Sequence, residues 1–231
     1  MATVNAYTSV AEVRDHLTDT GNRLDTDLLE RSINTASRAI DWYCSDGVPG
    51  ARKFWLDAAV VTKTFQVDDP RVAWVSDFGT TTGLIVKLDD NDDGVYENTL
   101  TLGTDYQVEP LNNAIVAEGD TIMPYAFWKI VLLGSNIFTW YQHRPALQVT
   151  AKYGWSSVPA EVNLAAIILS VKLFMRKGAP LGVAGVNDFG AVRIVQNDPD
   201  VKMLLQPYVK TRPRSIVFQP QRNSLFHQRW S

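Results

Sequence analysis

With 231 residues, 45% of them hydrophobic and 20% charged, the chain has enough apolar content for a packed core and does not carry the composition of a disordered segment. Its single cysteine, Cys44, excludes an internal disulfide framework and fits a reducing compartment. The formal net charge of -3 hides a segregation: residues 201–231 carry six basic side chains and no acidic one, so the rest of the chain holds 16 basic against 25 acidic residues.

No stretch approaches the roughly 18 to 20 continuous apolar residues that span a bilayer, and the N-terminus lacks a basic region followed by an apolar run. The chain is expected neither to cross a membrane nor to be secreted. Ser9 and Glu12 have the spacing of a capping box, which predicts a short helix to about Leu17. A polar turn at Gly21 and Asn22 follows. A second helix is predicted from Asp25 or Thr26 to about Tyr43, with Leu29, Ile33, Ala36, Ile40 and Tyr43 on one face and Glu30, Arg31, Asn34 and Arg38 on the others. Cys44 falls next to that apolar face and is read as a small buried hydrophobe. Gly47, Pro49 and Gly50 end the helical region.

From Phe54 to Tyr153 the period changes to that of strands. Short runs rich in β-branched and aromatic residues are predicted at Val60 to Val67, Val72 to Val75, Leu84 to Leu88, Thr99 to Leu102, Tyr106 to Val108, Lys129 to Leu133 and Leu147 to Tyr153. Leu84, Val86 and Leu88 alternate with Lys87, which suits a small sheet or barrel with one wet face. Leu111 to Tyr125 gives no pattern that places its backbone.

Helical period returns at Pro159, a residue suited to a first helical position, with Glu161 in the positive first turn. Val162, Ala165, Ala166, Leu169, Leu173 and Phe174 repeat along this helix, and Ile167, Ile168 and Val171 widen the apolar surface, so it is expected to be buried on most sides. Arg176, Lys177, Gly178 and Pro180 supply a C-terminal stop. A last helix is expected near Asp198, capped by Asn197 or Asp198, with Val201, Leu204, Leu205 and Tyr208 on one face. The fold class is therefore α+β. Residues 1–50 and 154–210 form a four-helix core, 51–153 an inserted β-sheet or small barrel lobe, and 211–231 an extended basic C-terminal arm.

Asp89-Asp90-Asn91-Asp92-Asp93-Gly94 matches the first half of a calcium loop through Asp89, Asn91 and Asp93, with Glu97 as a further oxygen donor. Leu100 stands where a bidentate Glu is needed, and the flanks are strand-like, so a solvated hairpin tip is the favoured reading and a cation site the weaker one. Asp188-Phe189-Gly190 copies a kinase triplet without the other kinase motifs, and Gly182, Gly185 and Gly190 miss the dinucleotide spacing. His16, His143 and His227 show no metal-ligand spacing, and no partnered nucleophile is evident. No enzyme activity and no cofactor are expected. Trp55, Trp74, Trp128, Trp140 and Trp155 fit a core or interface, although aromatic β domains also stack sugars or bases.

Four blocks carry a family resemblance. They are Tyr7-Thr8-Ser9-Val10-Ala11-Glu12-Val13; Asp105-Tyr106-Gln107-Val108-Glu109-Pro110-Leu111; Tyr153-Gly154-Trp155 with Val158-Pro159; and Pro180-Leu181-Gly182-Val183-Ala184-Gly185 leading to Asp188-Phe189-Gly190-Ala191-Val192. Together they resemble the head-to-tail adaptor (connector) proteins of long-tailed double-stranded DNA bacteriophages. The resemblance covers most of the chain, is most specific in the third block and least in the first, and stops after about Lys210.

The resemblance implies a structural protein of the virion neck, assembled in the host cytoplasm as a ring of twelve copies beneath the portal. Such a ring extends the channel for double-stranded DNA without reading its sequence, and it offers a surface to the stopper or next tail protein. On this reading Lys210, Arg212, Arg214, Phe218, Arg222, Phe226, Arg229 and Trp230 would bind the portal. Leu181, Gly182, Val183, Gly185, Asp188, Phe189 and Gly190 would line a subunit interface or the channel. The alternatives are a carbohydrate- or nucleic-acid-binding module, which the aromatics and the basic arm also suit, and a stopper or tail-completion protein of the same neck.

Overall fold

A computed structural model describes residues 2–17, 25–45, 52–112, 114–116, 122–138, 145–176 and 198–210. Helix α1, Val10–Asp15, starts at the expected capping box: the Glu12 amide donates to Ser9 Oγ at 3.2 Å and the Ser9 amide to Glu12 Oε2 at 2.7 Å. Helix α2, Thr26–Cys44, begins where Asp25 accepts from the Leu28 amide at 3.1 Å. Its Leu29, Ile33, Ala36, Ile40 and Cys44 are fully buried, as the helical spacing requires.

Helix α3, Ala160–Met175, has Pro159 as N-cap, one position before the expected first turn. Its apolar residues outnumber what one face can hold, and the fold answers by packing it against α1, α2 and the last helix. Val162, Ala165, Ala166, Ile167 and Leu169 are buried, while Leu164 and Met175 stay exposed. Helix α4, Pro199–Leu205, is capped by Asp198, whose side chain accepts from the amides of Asp200 and Val201. A turn of 3-10 helix at Gln206–Tyr208 follows, because Pro207 has no amide hydrogen to continue the α ladder. No helix among the described residues is long and apolar enough to cross a membrane.

The strands are β1 Val61–Phe65, β2 Val72–Leu88, β3 Asn98–Leu100, β4 Tyr106–Glu109, β5 Ala114–Val116, β6 Ile122–Pro124, β7 Phe127–Leu132 and β8 Leu147–Tyr153. The main sheet is antiparallel in the order β1-β8-β2-β7-β4, with β3 added to the far end of β2. It ends in open edges at β1 and β4, so the barrel alternative is corrected to an open sheet.

Two further expectations change. Val72 to Val75 and Leu84 to Leu88 are not separate strands but the ends of β2, which absorbs register shifts against β7 and β8. Gly79 and Gly83 lie in the shifted stretch; at Gly83 φ is +77°, a left-handed value that breaks alternation without ending the strand. The stretch from Leu111 to Tyr125 contains the β5–β6 hairpin, a two-stranded ladder of its own.

Buried side chains form one cluster within the sheet, including Val75, Phe78, Val86, Ile130, Leu147, Val149 and Tyr153. Another joins the helices through Ile40, Cys44, Val162, Leu169, Val201 and Leu205. Phe54, Ala126 and Trp155, which flank strands in sequence, belong to the helical cluster. Burying Phe54 alone contributes about 1.5 to 3 kcal/mol, and its ring meets Tyr7, Trp155 and Tyr208 at centroid distances of 5.6, 5.1 and 5.8 Å. Cys44 sits in this cluster at zero exposure, where loss of water pushes its thiol up to about 12 despite the counteracting Arg52 charge. A native-state thiol assay is therefore expected to find Cys44 silent and to titrate it only after denaturation; rapid native labelling would contradict its placement.

Candidate functional site at the root of the C-terminal segment

The most specific block of the resemblance, Tyr153-Gly154-Trp155, is held between two other segments. The Gly154 amide donates to the Asp77 carbonyl at 2.7 Å, the Trp155 amide to the Lys53 carbonyl at 3.2 Å, and the Asp57 amide to the Tyr153 carbonyl at 2.9 Å. Gly154 has φ +105°, and a Cβ placed there would lie 1.8 Å from the Trp55 carbonyl oxygen. Only glycine fits that crossing.

Directly beneath it lies a buried charge cluster. Asp77 is on the inward face of β2, in phase with Ala73 and Val75, and is 2% exposed. Its carboxylate accepts from Arg52 Nε at 2.6 Å, Lys210 Nζ at 2.8 Å and Trp155 Nε1 at 2.9 Å. Lys210 Nζ also donates to the Val75 carbonyl at 2.6 Å, and its amide donates to the Cys44 carbonyl at 2.8 Å. Arg52 reaches the Tyr208 carbonyl and lies 5.5 Å from the ring centres of both Trp128 and Trp155. Tyr208 Oη donates to Glu161 at 2.7 Å. One carboxylate thus ties β2, the segment after α2, the approach to α3 and the end of the described C-terminal residues. Burial by itself raises the Asp77 carboxyl, but the charges and hydrogen bonds of Lys210 and Arg52 outweigh it and hold the group below the usual carboxylate range.

Sequence reasoning missed Arg52 and Asp77. The available signal was an acidic residue on the same parity as the apolar positions of a strand, which predicts a buried carboxylate needing cations. Lys210, expected to open a portal-binding arm, is instead 5% exposed and committed to Asp77. Arg212, Arg214, Phe218, Arg222, Phe226, Arg229 and Trp230 lie outside the described residues, as do Leu181, Gly182, Val183, Gly185, Asp188, Phe189 and Gly190.

The acidic hairpin joins β2 to β3, as its strand-like flanks imply. Asp89 accepts the amides of Asn91, Asp92 and Gly94 at 3.2, 2.7 and 2.9 Å, Asn91 accepts that of Asp93, and Asp93 accepts that of Val95. Burial raises the Asp89 carboxyl, and backbone N–H groups, led by that of Gly94, reverse this and lower it. Carboxylate oxygens of Asp89, Asp93 and Glu97 lie within 4.8 Å of one another. The side chains of Asp89, Asn91 and Asp93 cap the turn. His16 is exposed, with Nδ1 3.0 Å from the Glu12 carbonyl, and His143 and His227 lie outside the described residues.

No protein-family model matches the chain, and no curated protein matches its sequence. Solved structures do. The fold is similar to that of a chain in the "Neck of empty GTA particle computed with C6 symmetry", with 16% identity, TM-score 0.52 and coverage of 93% of this chain and 95% of that one. A chain in the "Neck of native GTA particle computed with C12 symmetry" gives 16% identity, TM-score 0.51 and the same coverage. A chain of a "Virion of native gene transfer agent (GTA) particle" gives 18% identity and a TM-score of 0.44. At these identities the likeness is one of fold.

Proposed function

We propose that the chain is a structural virion neck protein, a head-to-tail adaptor that forms a ring beneath the portal, extends the DNA channel and links the head to the stopper or tail. The observation that carries this reading is the shared fold over 93% of the chain with chains from necks computed with sixfold and twelvefold symmetry. It agrees with the resemblance of the sequence blocks, the strongest of which, Tyr153-Gly154-Trp155, lies at the centre of the described structure.

In this ring of twelve copies, the acidic body repels the DNA backbone from the channel wall and lets it slide. Residues 181–190 meet a neighbouring copy or the channel. The basic aromatic arm after Lys210 docks on the portal, and the Asp77 cluster is the fixed root from which it extends. Rooting matters physically: a docking arm transmits force between particle parts only if its first residue is anchored in a core. No catalysis and no cofactor enter this function.

The test is a chain lacking residues 211–231, which retains Lys210. It is expected to keep the circular dichroism and urea midpoint of the full chain, to fail to bind portal, and to leave heads unjoined. Truncated protein that still completes particles would overturn the arm's role. Electron microscopy of the full chain with portal is expected to show rings on the portal; a monomer retained instead on DNA or glycan would favour a binding module.

A further inference from the structure

The main sheet is finished at one edge and unfinished at the other. At β4 the inner-face residues Tyr106 and Val108 are buried, the Gly103 amide donates to the Tyr106 carbonyl at 2.8 Å, and Pro110 ends the strand without an amide hydrogen. β1 has no such cover. Its register against β8 sets Val61 opposite Ala151, Lys63 opposite Val149 and Phe65 opposite Leu147, so these three side chains share a face with three that are fully buried. Val61 is nevertheless 42% exposed, and Lys63 and Phe65 are only half-buried.

An inner-face valine left in water marks the place of a missing strand, because one more strand alongside would take that apolar surface out of solvent. The backbone is ready for it. β1 pairs with β8 over five residues in unbroken register and contains no proline, so its outer side offers alternate N–H and C=O groups as a template for another chain.

Charge says what kind of strand fits. β1, β8 and the stretch of β2 from Phe78 to Leu88 carry Lys63, Lys87 and Lys152 and no acidic residue, in a chain whose first 200 residues hold 25 acidic against 16 basic side chains. Lys63 makes no ion pair with a carboxylate among the described residues; its Nζ leans over β8, 4.1 Å from the centre of the Tyr153 ring. Loss of water, reinforced by the Lys53 charge, holds its ammonium below the usual lysine range, although Asp57 and Asp77 act in the opposite sense. A carboxylate beside it would favour the charged form.

We propose that β1 is a docking edge for an extended segment of a partner protein, which adds as a seventh strand with an apolar residue facing Val61, a carboxylate facing Lys63 and a second apolar residue facing Phe65. Main-chain hydrogen bonds supply the affinity, and the three alternate side chains supply the specificity. The inference stands apart from the ring reading, since it uses only the sheet edge and its charges.

The probe is a synthetic peptide that alternates threonine with valine and carries glutamate in place of its central valine, titrated calorimetrically into the full chain. It is expected to bind about tenfold more tightly than the same peptide with a central lysine, and Lys63→Glu is expected to reverse that order. Bound peptide is expected to slow amide exchange in residues 61–65, and a fully N-methylated peptide to be inert. The two peptides on the native chain decide the matter even where Lys63→Glu folds poorly. Absence of binding, binding that ignores the central charge, or unchanged exchange in β1 overturns the proposal. Slowed exchange in the same residues on raising the concentration of the chain itself, or on adding duplex DNA in place of peptide, would assign the edge to a second copy or to a phosphate backbone and overturn the partner strand.

Discussion

Gly154→Ala is expected to keep the chain from reaching its native packing. The cost has two parts. A left-handed value of φ costs a residue with a Cβ about 1 to 2 kcal/mol, and φ here is +105°. The larger part is steric: the new Cβ would sit 1.8 Å from the Trp55 carbonyl oxygen and 2.8 Å from its carbonyl carbon, both backbone atoms with no rotamer to yield. The 153–155 and 53–57 segments would have to separate, breaking the hydrogen bonds from Trp155 to Lys53 and from Asp57 to Tyr153. Separation also withdraws Trp155 from Asp77 and from Phe54. Against a typical domain stability of about 5 to 15 kcal/mol, that combination is expected to leave little folded protein. Gly103→Ala is the control, because Gly103 has φ +83° but nothing within 4 Å of a new Cβ. Its urea midpoint is expected to fall by only the conformational part. If the two variants unfold at similar urea concentrations, the close crossing at Gly154 is wrong.

Asp77→Ala is expected to destabilise the protein by about 3 to 5 kcal/mol, the range for removing one partner of a buried ion pair. Two cations and an indole N–H would lose their shared acceptor while remaining almost fully buried. The pH dependence follows from the depressed carboxyl. The stabilisation is complete above the unfolded value, near 3.9, and is lost as pH falls through the lower folded value. The gap in unfolding free energy between the native chain and Asp77→Ala is thus expected to be widest near neutrality and to narrow on acidification below about pH 4. Urea titrations at both pH values measure it. A gap independent of pH would show that Asp77 acts through packing rather than charge.

Both predictions concern residues that local sequence treats very differently. Gly154 stands in the Tyr153-Gly154-Trp155 block, which resemblance singled out, but the reason for glycine lies in the Trp55 carbonyl, a hundred residues earlier. Asp77 carried a readable anomaly, a charge on the buried parity of a strand. Its partners, 25 residues before it and 133 after it, could not be read, because nothing local to Arg52 or Lys210 sets them apart from solvated cations. The acidic hairpin was legible as a turn because Asp and Gly impose it locally. The merging of two strand signals into β2 was not, because bulges are decided by register against β7 and β8.

By itself the sequence determined what short-range chemistry controls. The Ser9–Glu12 capping box, helix starts at Asp25 or Thr26 and at Asn197 or Asp198, the helical spacing of α2 and the switch to strand period after Phe54 all follow from groups within a few residues of one another. It determined the α+β class and the burial of Cys44 for the same reason. Only the tertiary structure decided that the sheet stays open at β1 and β4, that Lys210 is a core residue, and that one carboxylate anchors the point from which the basic segment departs. Those outcomes depend on which distant segments meet, and the free energy of a buried charge is set by the partners brought to it rather than by its neighbours in the chain.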